Sequence, residues 1–540
     1  MTESKADVSS NEVDRDSRER LDGEQFDPDL QGTESLKTKT VSGAAYNSAG
    51  RVAGQVIQIL SAAVLARLLE VEDFGKMAKI MIVTQFIQMN QQMGLHLAII
   101  QRDKVGSNLI NSVFWFNVLI GGLATILLCL AAPWISALLN DHDAVLTRMM
   151  RFTALGFLIT GLSTVPMALI SRKIRYGWVA TINVTCILLG GVTSIVLALL
   201  DFGVWSLVWG TLTGHALGVI MSFSISKWFP SLPSFDRQIK GMLSFGGFHT
   251  AYSNVHYFGE KADKALIGRV LGDEMLGFYN RAFQLLLMPM RQIVWPIAAV
   301  AIPALSRLQN DPDQFRQYFY RAVNTLAYIT IPLIFTIAAL STEIILLMAG
   351  EKWLFSATIF KILAIYAVIY PLSSTMDWVY LPLGNSRRLF YWGLIAVPLT
   401  ILSYFIGLHW GAIGVAVSYV ACMALLFVPQ MLFAFHKSPI VFSRFMGHIW
   451  RPFLVGLASM AAVEGSLLAL HSQHFLLRLF SGPVVGLAAA FLAIQLIPGA
   501  RKESANVLRV FRMVPVFNRL IVMIQNRFLR RSHGAAQETQ

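Results

Sequence analysis

A bilayer's hydrocarbon core, about 30 Å thick, is crossed by roughly 20 apolar residues of helix. This chain offers such a run fourteen times: approximately 41–66, 77–100, 108–137, 149–170, 177–200, 203–226, 241–267, 276–305, 322–349, 355–383, 389–408, 411–435, 452–470 and 479–497. Each run must coil into helix, because lipid cannot satisfy a free backbone N–H or C=O. The composition agrees: 55% of the 540 residues are hydrophobic and 14% are charged, where a soluble domain carries about 25%. The reading is an all-α integral membrane protein with about 14 transmembrane helices.

Charge in the connections orients them. Loops after even-numbered helices hold 16 Lys and Arg, among them Arg102, Lys173, Arg237, Arg307, Arg388 and Arg444, and loops after odd-numbered helices hold 6. Positive charge stays cytoplasmic, so both termini are expected there. Residues 1–39 are polar and carry eleven acids against six bases. They read as a disordered cytoplasmic leader rather than a cleavable signal peptide. The leader thus contributes −5 to the formal net charge of +13, and the rest of the chain carries +18, which serves cytoplasmic loops and lipid headgroups before nucleic acid. Beyond residue 499 comes a basic tail in which Val516, Phe517, Leu520, Ile521, Ile524 and Phe528 share a helical face, suited to an anionic surface, with a solvated basic tail as the alternative reading.

The chain echoes itself. Leu65-Ala66-Arg67-Leu68-Leu69 with Phe74-Gly75 recurs, 202 positions on, as Ile267-Gly268-Arg269-Val270-Leu271 with Leu276-Gly277. Six helices precede the repeat, so both halves enter from the same side, related by an axis along the membrane normal. This predicts two six-helix lobes, 40–226 and 241–436, joined by a cytoplasmic linker at 227–240. Two further helices follow in 437–498, and the tail occupies 499–540.

Polar residues inside apolar helices mark the candidate site. Asn47, Arg51, Gln55 and Gln58 map under the shift onto His249, Ser253, Tyr257 and Glu260, and each set spans about 80° of a helix surface. Arg51 sits about 15 Å into the first run, where a cation costs at least about 2.5 kcal/mol unless it meets water or a partner. Arg291 holds a middle position in helix eight, on one face with Arg281, Gln284, Met288 and Trp295. Guanidinium groups lining an interior cavity suit a polyanionic headgroup such as a diphosphate. The competing reading of Arg51 is a structural pair with a buried carboxylate. Lys79 and Arg281 correspond under the shift and join the substrate candidates. Glu260, Asp263 and His256 are candidates for binding a coupling proton or sodium ion, although an ordinary polar helix exit would also explain the acids. Asp377 and Glu464 are weaker candidates for that role.

Signals of other chemistry are poor. Asp141-His142-Asp143 and Asp311-Pro312-Asp313 have the spacing of a metal-nucleotide pair but read as turns and helix caps. There is no Walker loop, no metal-binding cysteine spacing and no cofactor signature. Cys129, Cys186 and Cys422 read as buried thiols.

Taken together, Leu65–Leu69 with Asp73-Phe74-Gly75, Val113-Phe114-Trp115-Phe116-Asn117, Phe202-Gly203-Val204-Trp205-Ser206-Leu207-Val208, Ala262-Asp263-Lys264, Leu276-Gly277-Phe278-Tyr279 and Pro303-Ala304-Leu305-Ser306-Arg307-Leu308-Gln309 resemble the Wzx-type polysaccharide flippases. These form part of the multidrug/oligosaccharidyl-lipid/polysaccharide exporter superfamily, and the resemblance, nearest the colanic-acid-exporter branch, covers about residues 40–436. It implies two lobes enclosing a cavity and alternating access that moves an undecaprenyl-diphosphate-linked oligosaccharide across the bacterial inner membrane. The cycle would be coupled to a proton or sodium gradient and would bring the chain into contact with membrane lipids, a polysaccharide polymerase and export machinery. Two alternatives stand beside it. A multidrug exporter should show an aromatic site with a carboxylate for organic cations. A membrane glycosyltransferase or polymerase should carry a long extracytoplasmic loop, yet every odd-numbered connection here is short. The orientation is directly testable: alkaline phosphatase fused after residue 139 or 271 should be active in cells, and fused after residue 174 or 436 inactive. The inverse pattern would refute cytoplasmic termini.

Overall fold

The computed structural model describes residues 33–92, 99, 106–139, 144–233, 254 and 257–504. The leader to residue 32, linker residues 234–240, Asp141–Asp143, His249, Ser253, His256 and the tail from residue 505 lie outside the described residues. Among the described residues fourteen long helices carry the fold. They are α1 Thr33–Leu68, α2 Val71–Gln92, α3 Ser107–Leu138, α4 Ala144–Arg172, α5 Tyr176–Leu199, α6 Trp205–Ser226, α7 257–270 and α8 Gly272–Arg307. The others are α9 Pro312–Ala339, α10 Leu354–Ser373, α11 Ser386–Leu408, α12 Gly411–Phe435, α13 Trp450–Ala469 and α14 Phe475–Leu496.

Twelve helical segments among the described residues are long and apolar enough to cross a membrane, and they fall on α1, α3 to α6 and α8 to α14. Helix α2 has the length but carries two lysines and five amide side chains. No strand occurs among the described residues. Local chemistry sets the helix ends. Asp311 caps α9, accepting from the amides of Asp313 (3.1 Å) and Gln314 (3.0 Å), with Pro312 in the first turn, so this Asp-Pro-Asp is a cap as expected. Tight hairpins follow α5 and α11, turning through Asp201 and Gly203 at φ of 60° and 52° and through Gly411 at 69°, left-handed conformations that glycine adopts freely. Cys129, Cys186 and Cys422 are free thiols, half-buried rather than enclosed.

The chain forms two compact units, Met1–Asn280 with Met348–Lys352, and Arg281–Leu347 with Trp353–Gln540. In the first, α3 packs on α4, α4 on α6 and α5 on α6. In the second, α9 packs on α10, α10 on α12 and α11 on α12. Three helix pairings thus recur six helices later among the described residues. Helices α13 and α14 stand outside it: α13 packs on α9, and α14 on α13.

Small residues make these contacts. A Cβ added at Gly210 would lie 1.8 Å from Ser194 Oγ and 2.6 Å from the Gly190 carbonyl, joining α5 to α6; one at Gly414 would lie 2.2 Å from the Gly407 carbonyl, joining α11 to α12. Between lipid-exposed helices there is little hydrophobic drive, so close backbone approach supplies the attraction. Large apolar side chains such as Leu119, Leu123, Leu127 and Leu130 point outward from α3. Gly210→Leu and Gly407→Leu should each cost about 1–3 kcal/mol and lower the detergent melting temperature by several degrees, while Leu123→Ala should not. Equal melting curves for all three would refute the glycine contacts.

Candidate functional site

On α1, Gly50 meets Ala180 and Gly54 meets Ile187 of α5, with added Cβ atoms at 2.6 and 3.0 Å. That seam fixes the rotation of α1 and leaves Arg51 and Gln58 exposed and Gln55 half-buried. Among the described residues Arg51 has no ion-pair or hydrogen-bond partner. Helix α1 starts at Thr33, well before the apolar run, and Arg51 lies about 25 Å from its end at Leu68 at 1.5 Å per residue. The apolar stretch of α1 begins at Ser48, so Arg51 lies near the N-terminal end of that stretch.

Helix α2 anchors a polar assembly in the same unit. Lys79, 2% exposed, pairs with Asp273 at 2.6 Å. Two glycines permit the approach: a Cβ at Gly75 would lie 1.9 Å from the Asp273 carbonyl, and one at Gly277 would lie 2.4 Å from that of Val71. Asn90 and Asn254 exchange amide hydrogen bonds at 2.9 Å in both directions, and the Tyr257 hydroxyl donates to the Ile82 carbonyl. Asp263 is 1% exposed, accepting from the Lys264 amide at 2.7 Å. Lys264 is buried and Glu260 exposed.

In the second unit Arg281 is 5% exposed, its guanidinium carbon 5.5 Å from the centre of the Trp353 ring, within the range of cation–π attraction. Further along α8, Gln284, Arg291 and Trp295 are exposed, and among the described residues Arg291 has no ion-pair or hydrogen-bond partner. Pro289, Pro296 and Pro303 recur along this helix, each removing the hydrogen bond to the carbonyl four residues back. Phe283, Tyr366, Tyr404 and Tyr419 form an aromatic cluster, with centroids 4.8 Å apart for Tyr366–Tyr419 and 5.5 Å for Tyr404–Tyr419. Glu464 pairs with Lys361 at 3.6 Å, and half-buried Asp377 starts the short helix after the 3-10 turn Ser374–Met376.

The candidates thus sort into engaged and available groups. Lys79 and Arg281, equivalent under the 202 shift, are both buried and both engaged. Arg51, Gln58, Gln284 and Arg291 are on the surface of their units. The partners of the buried pair were hidden from sequence reasoning: Asp273, directly after Gly272 at a helix start, reads as an ordinary cap, and Trp353 as an interfacial aromatic. Among the described residues no group of three or more His, Cys, Asp or Glu side chains could hold a metal ion. The chemistry on offer is recognition of anions and hydroxyl groups.

Fold and site together define a multi-pass helical membrane protein of repeated architecture with guanidinium groups on its spanning helices. Residues 64–358 match the family described as polysaccharide biosynthesis protein, and the chain belongs to that family. It is 26% identical over 477 residues to the teichuronic acid biosynthesis protein TuaB of Bacillus subtilis (strain 168), covering 87% of this chain and 98% of the relative. It is 22% identical over 436 residues to the lipopolysaccharide biosynthesis protein WzxC of Escherichia coli (strain K12), covering 79% and 87%. Among solved structures it shares the fold of the lipid II flippase MurJ in an inward closed conformation, with a TM-score of 0.66 and 17% identity over 83% of this chain and 98% of that one.

Removing one member of a buried ion pair strands the other charge. Lys79→Met should therefore destabilise the protein by about 3–5 kcal/mol, and Lys79→Met/Asp273→Leu should recover most of the loss in a thermal melt. A single variant as stable as the parent would show that the pair contributes nothing to the fold.

Proposed function

We propose that this protein is a lipid-linked oligosaccharide flippase. It moves undecaprenyl-diphosphate-linked repeat units from the cytoplasmic to the periplasmic leaflet of a bacterial inner membrane, by alternating access, and both its termini are cytoplasmic. It acts as a transporter rather than an enzyme, and its ligands are the lipid-linked glycan and the surrounding membrane lipids. The observation that carries this reading is the pair of exposed guanidinium groups on spanning helices, Arg51 in the first unit and Arg291 in the second, neither with a partner among the described residues. A cation kept in such a place without a carboxylate is kept for an anion that comes and goes. Arginine's planar fork matches a diphosphate or an acidic sugar bidentately. Gln55, Gln58 and Gln284 lie on the same faces and supply hydrogen bonds to sugar hydroxyls. Lys79 and Arg281 are satisfied within their own units and hold helices in place.

Membership of a polysaccharide biosynthesis family, a relative named for lipopolysaccharide biosynthesis and a fold shared with a lipid II flippase all support the assignment. Arg51→Ala and Arg291→Ala should each reduce polymer export at least about tenfold, the equivalent of about 1.4 kcal/mol, at unchanged membrane abundance and melting temperature. Lipid-linked repeat units should then accumulate on the inner leaflet. Arg51→Lys should recover only part of the activity. Normal polymer output from the Arg51→Ala/Arg291→Ala double variant would overturn the assignment.

A further inference from the structure

Inside the first unit, four helices enclose a cavity of about 200 Å³ lined by Gln88 and Gln91 of α2, Asn117 of α3, Thr160 and Thr164 of α4 and His215 of α6. None of the six is charged, and His215 lies near the middle of an otherwise apolar spanning helix. Polar side chains gathered at that depth need a reason beyond packing.

Their hydrogen bonds reveal the polarity of the chamber. The Gln91 amide donates to the Phe157 carbonyl at 3.0 Å, and the Asn117 amide to the Val113 carbonyl at 2.8 Å. The Thr160 hydroxyl donates to the Phe157 carbonyl at 3.1 Å, and that of Thr164 to the Thr160 carbonyl at 2.9 Å. Each of these four side chains thus spends one donor on helix backbone and keeps its oxygen lone pairs, the two amides retaining a second N–H. A chamber rich in acceptors favours a positively charged occupant or a strong donor.

His215 is the group that can become such a donor. Its Nδ1 is buried and has no hydrogen-bond partner among the described residues. Gly156 makes room for the ring: a Cβ there would lie 3.1 Å from Nδ1. From α2, α3 and α4 the residues that share the cavity with the ring are those already named. From α5 the approach to α6 is made by Cys186, whose carbonyl and Sγ lie 3.2 and 3.6 Å from Cβ atoms built at Gly214 and Gly218. No charged side chain among the described residues acts on the imidazole. Arg151 and Arg172 of α4 donate elsewhere, to the carbonyls of Cys129 and Ile99.

We propose that this chamber is a proton-binding site in which His215 takes up the proton and the oxygens of Gln88, Gln91, Asn117, Thr160 and Thr164 solvate the resulting imidazolium. Imidazole is suited to the task because its unperturbed pKa, about 6.5, lies within the physiological range. With no fixed charge beside it, its state follows the proton supply of whichever aqueous phase reaches the chamber. Its use in driving transport rests on the flippase reading; proton binding does not.

The test tracks the proton itself. The full chain is prepared with ¹⁵N-histidine in lipid nanodiscs, and the resonances absent from His215→Gln are assigned to His215. Between pH 5 and 8 its two ring nitrogens should converge on imidazolium shifts. Thr164→Val, which removes one solvating oxygen, should lower the midpoint by about one pH unit, a tenfold loss of proton affinity. It serves as the second variant if His215→Gln does not fold, by identifying the one histidine whose midpoint moves. A ring that stays neutral from pH 4.5 to 9 would overturn the proposal. So would a shift driven by sodium at constant pH with no protonation, which would assign the chamber to a metal cation. Because the readout needs no cargo, these results are independent of whether the Arg51 and Arg291 variants lose export.

Discussion

An ammonium and a carboxylate withdrawn from water together, Lys79 and Asp273 at 2.6 Å, fasten the start of α8 to α2. Neither charge could stay at that depth alone, since the desolvation of each amounts to several kcal/mol. The pair is possible only because the backbones touch. Gly75 and Gly277 leave no Cβ between the helices, and Gly268 of α7 lies against the Lys79 stem, with an added Cβ at 3.1 Å from Cε. One ion pair therefore dictates glycine at three positions on three helices. Together with the paired amides of Asn90 and Asn254 and the Tyr257–Ile82 hydrogen bond, it explains how α2, the most polar of the helices described in full, holds its place in a membrane protein.

Elsewhere the same demand for contact is met without charge. The hairpins α5–α6 and α11–α12 close on glycine, through Gly190 with Gly210 and Gly407 with Gly414, and their outward faces carry large apolar side chains such as Leu188, Leu189, Leu402 and Phe405. In lipid the outward face gains nothing from association, so the inward face must be thin. Two different hairpins reaching the same solution is what a repeated packing scheme predicts. Aromatic residues take over where helices are less tightly apposed. In the second unit Phe319 lies edge-on to Trp378 and Phe435, at 6.5 and 5.9 Å.

What sequence could show in advance was whatever one helix decides by itself. Run length identified twelve spanning segments that the described residues bear out, the Asp311-Pro312 pair identified a cap, and helical periodicity put Arg51, Gln55 and Gln58 on one face. Relations between helices were out of reach. Nothing near Lys79 in the chain announces Asp273, and nothing near Arg281 announces Trp353. Nor does a lone His215 in α6 announce amides and hydroxyls that arrive from α2, α3 and α4. The start of α1 was out of reach for a different reason, because the helix continues through polar residues before its apolar run begins. Hydropathy locates what lipid tolerates; it does not locate where hydrogen bonding in a helix starts.

The cations on spanning helices divide by what balances them. Lys79 has a carboxylate, Arg281 an aromatic face, and both are almost wholly buried; removing either is a question of stability. Arg51 and Arg291 sit on equally long helices, are exposed, and lack a partner among the described residues. If their role were structural, burial beside a fixed acid would serve it better, as it does for Lys79. A guanidinium left open is energetically reasonable where it meets water or an anion that is bound for part of a cycle. Permanent neutralisation would close the site. On the proposed flippase reading, that difference favours the exposed pair over the buried pair matched by the repeat for contact with an anionic headgroup.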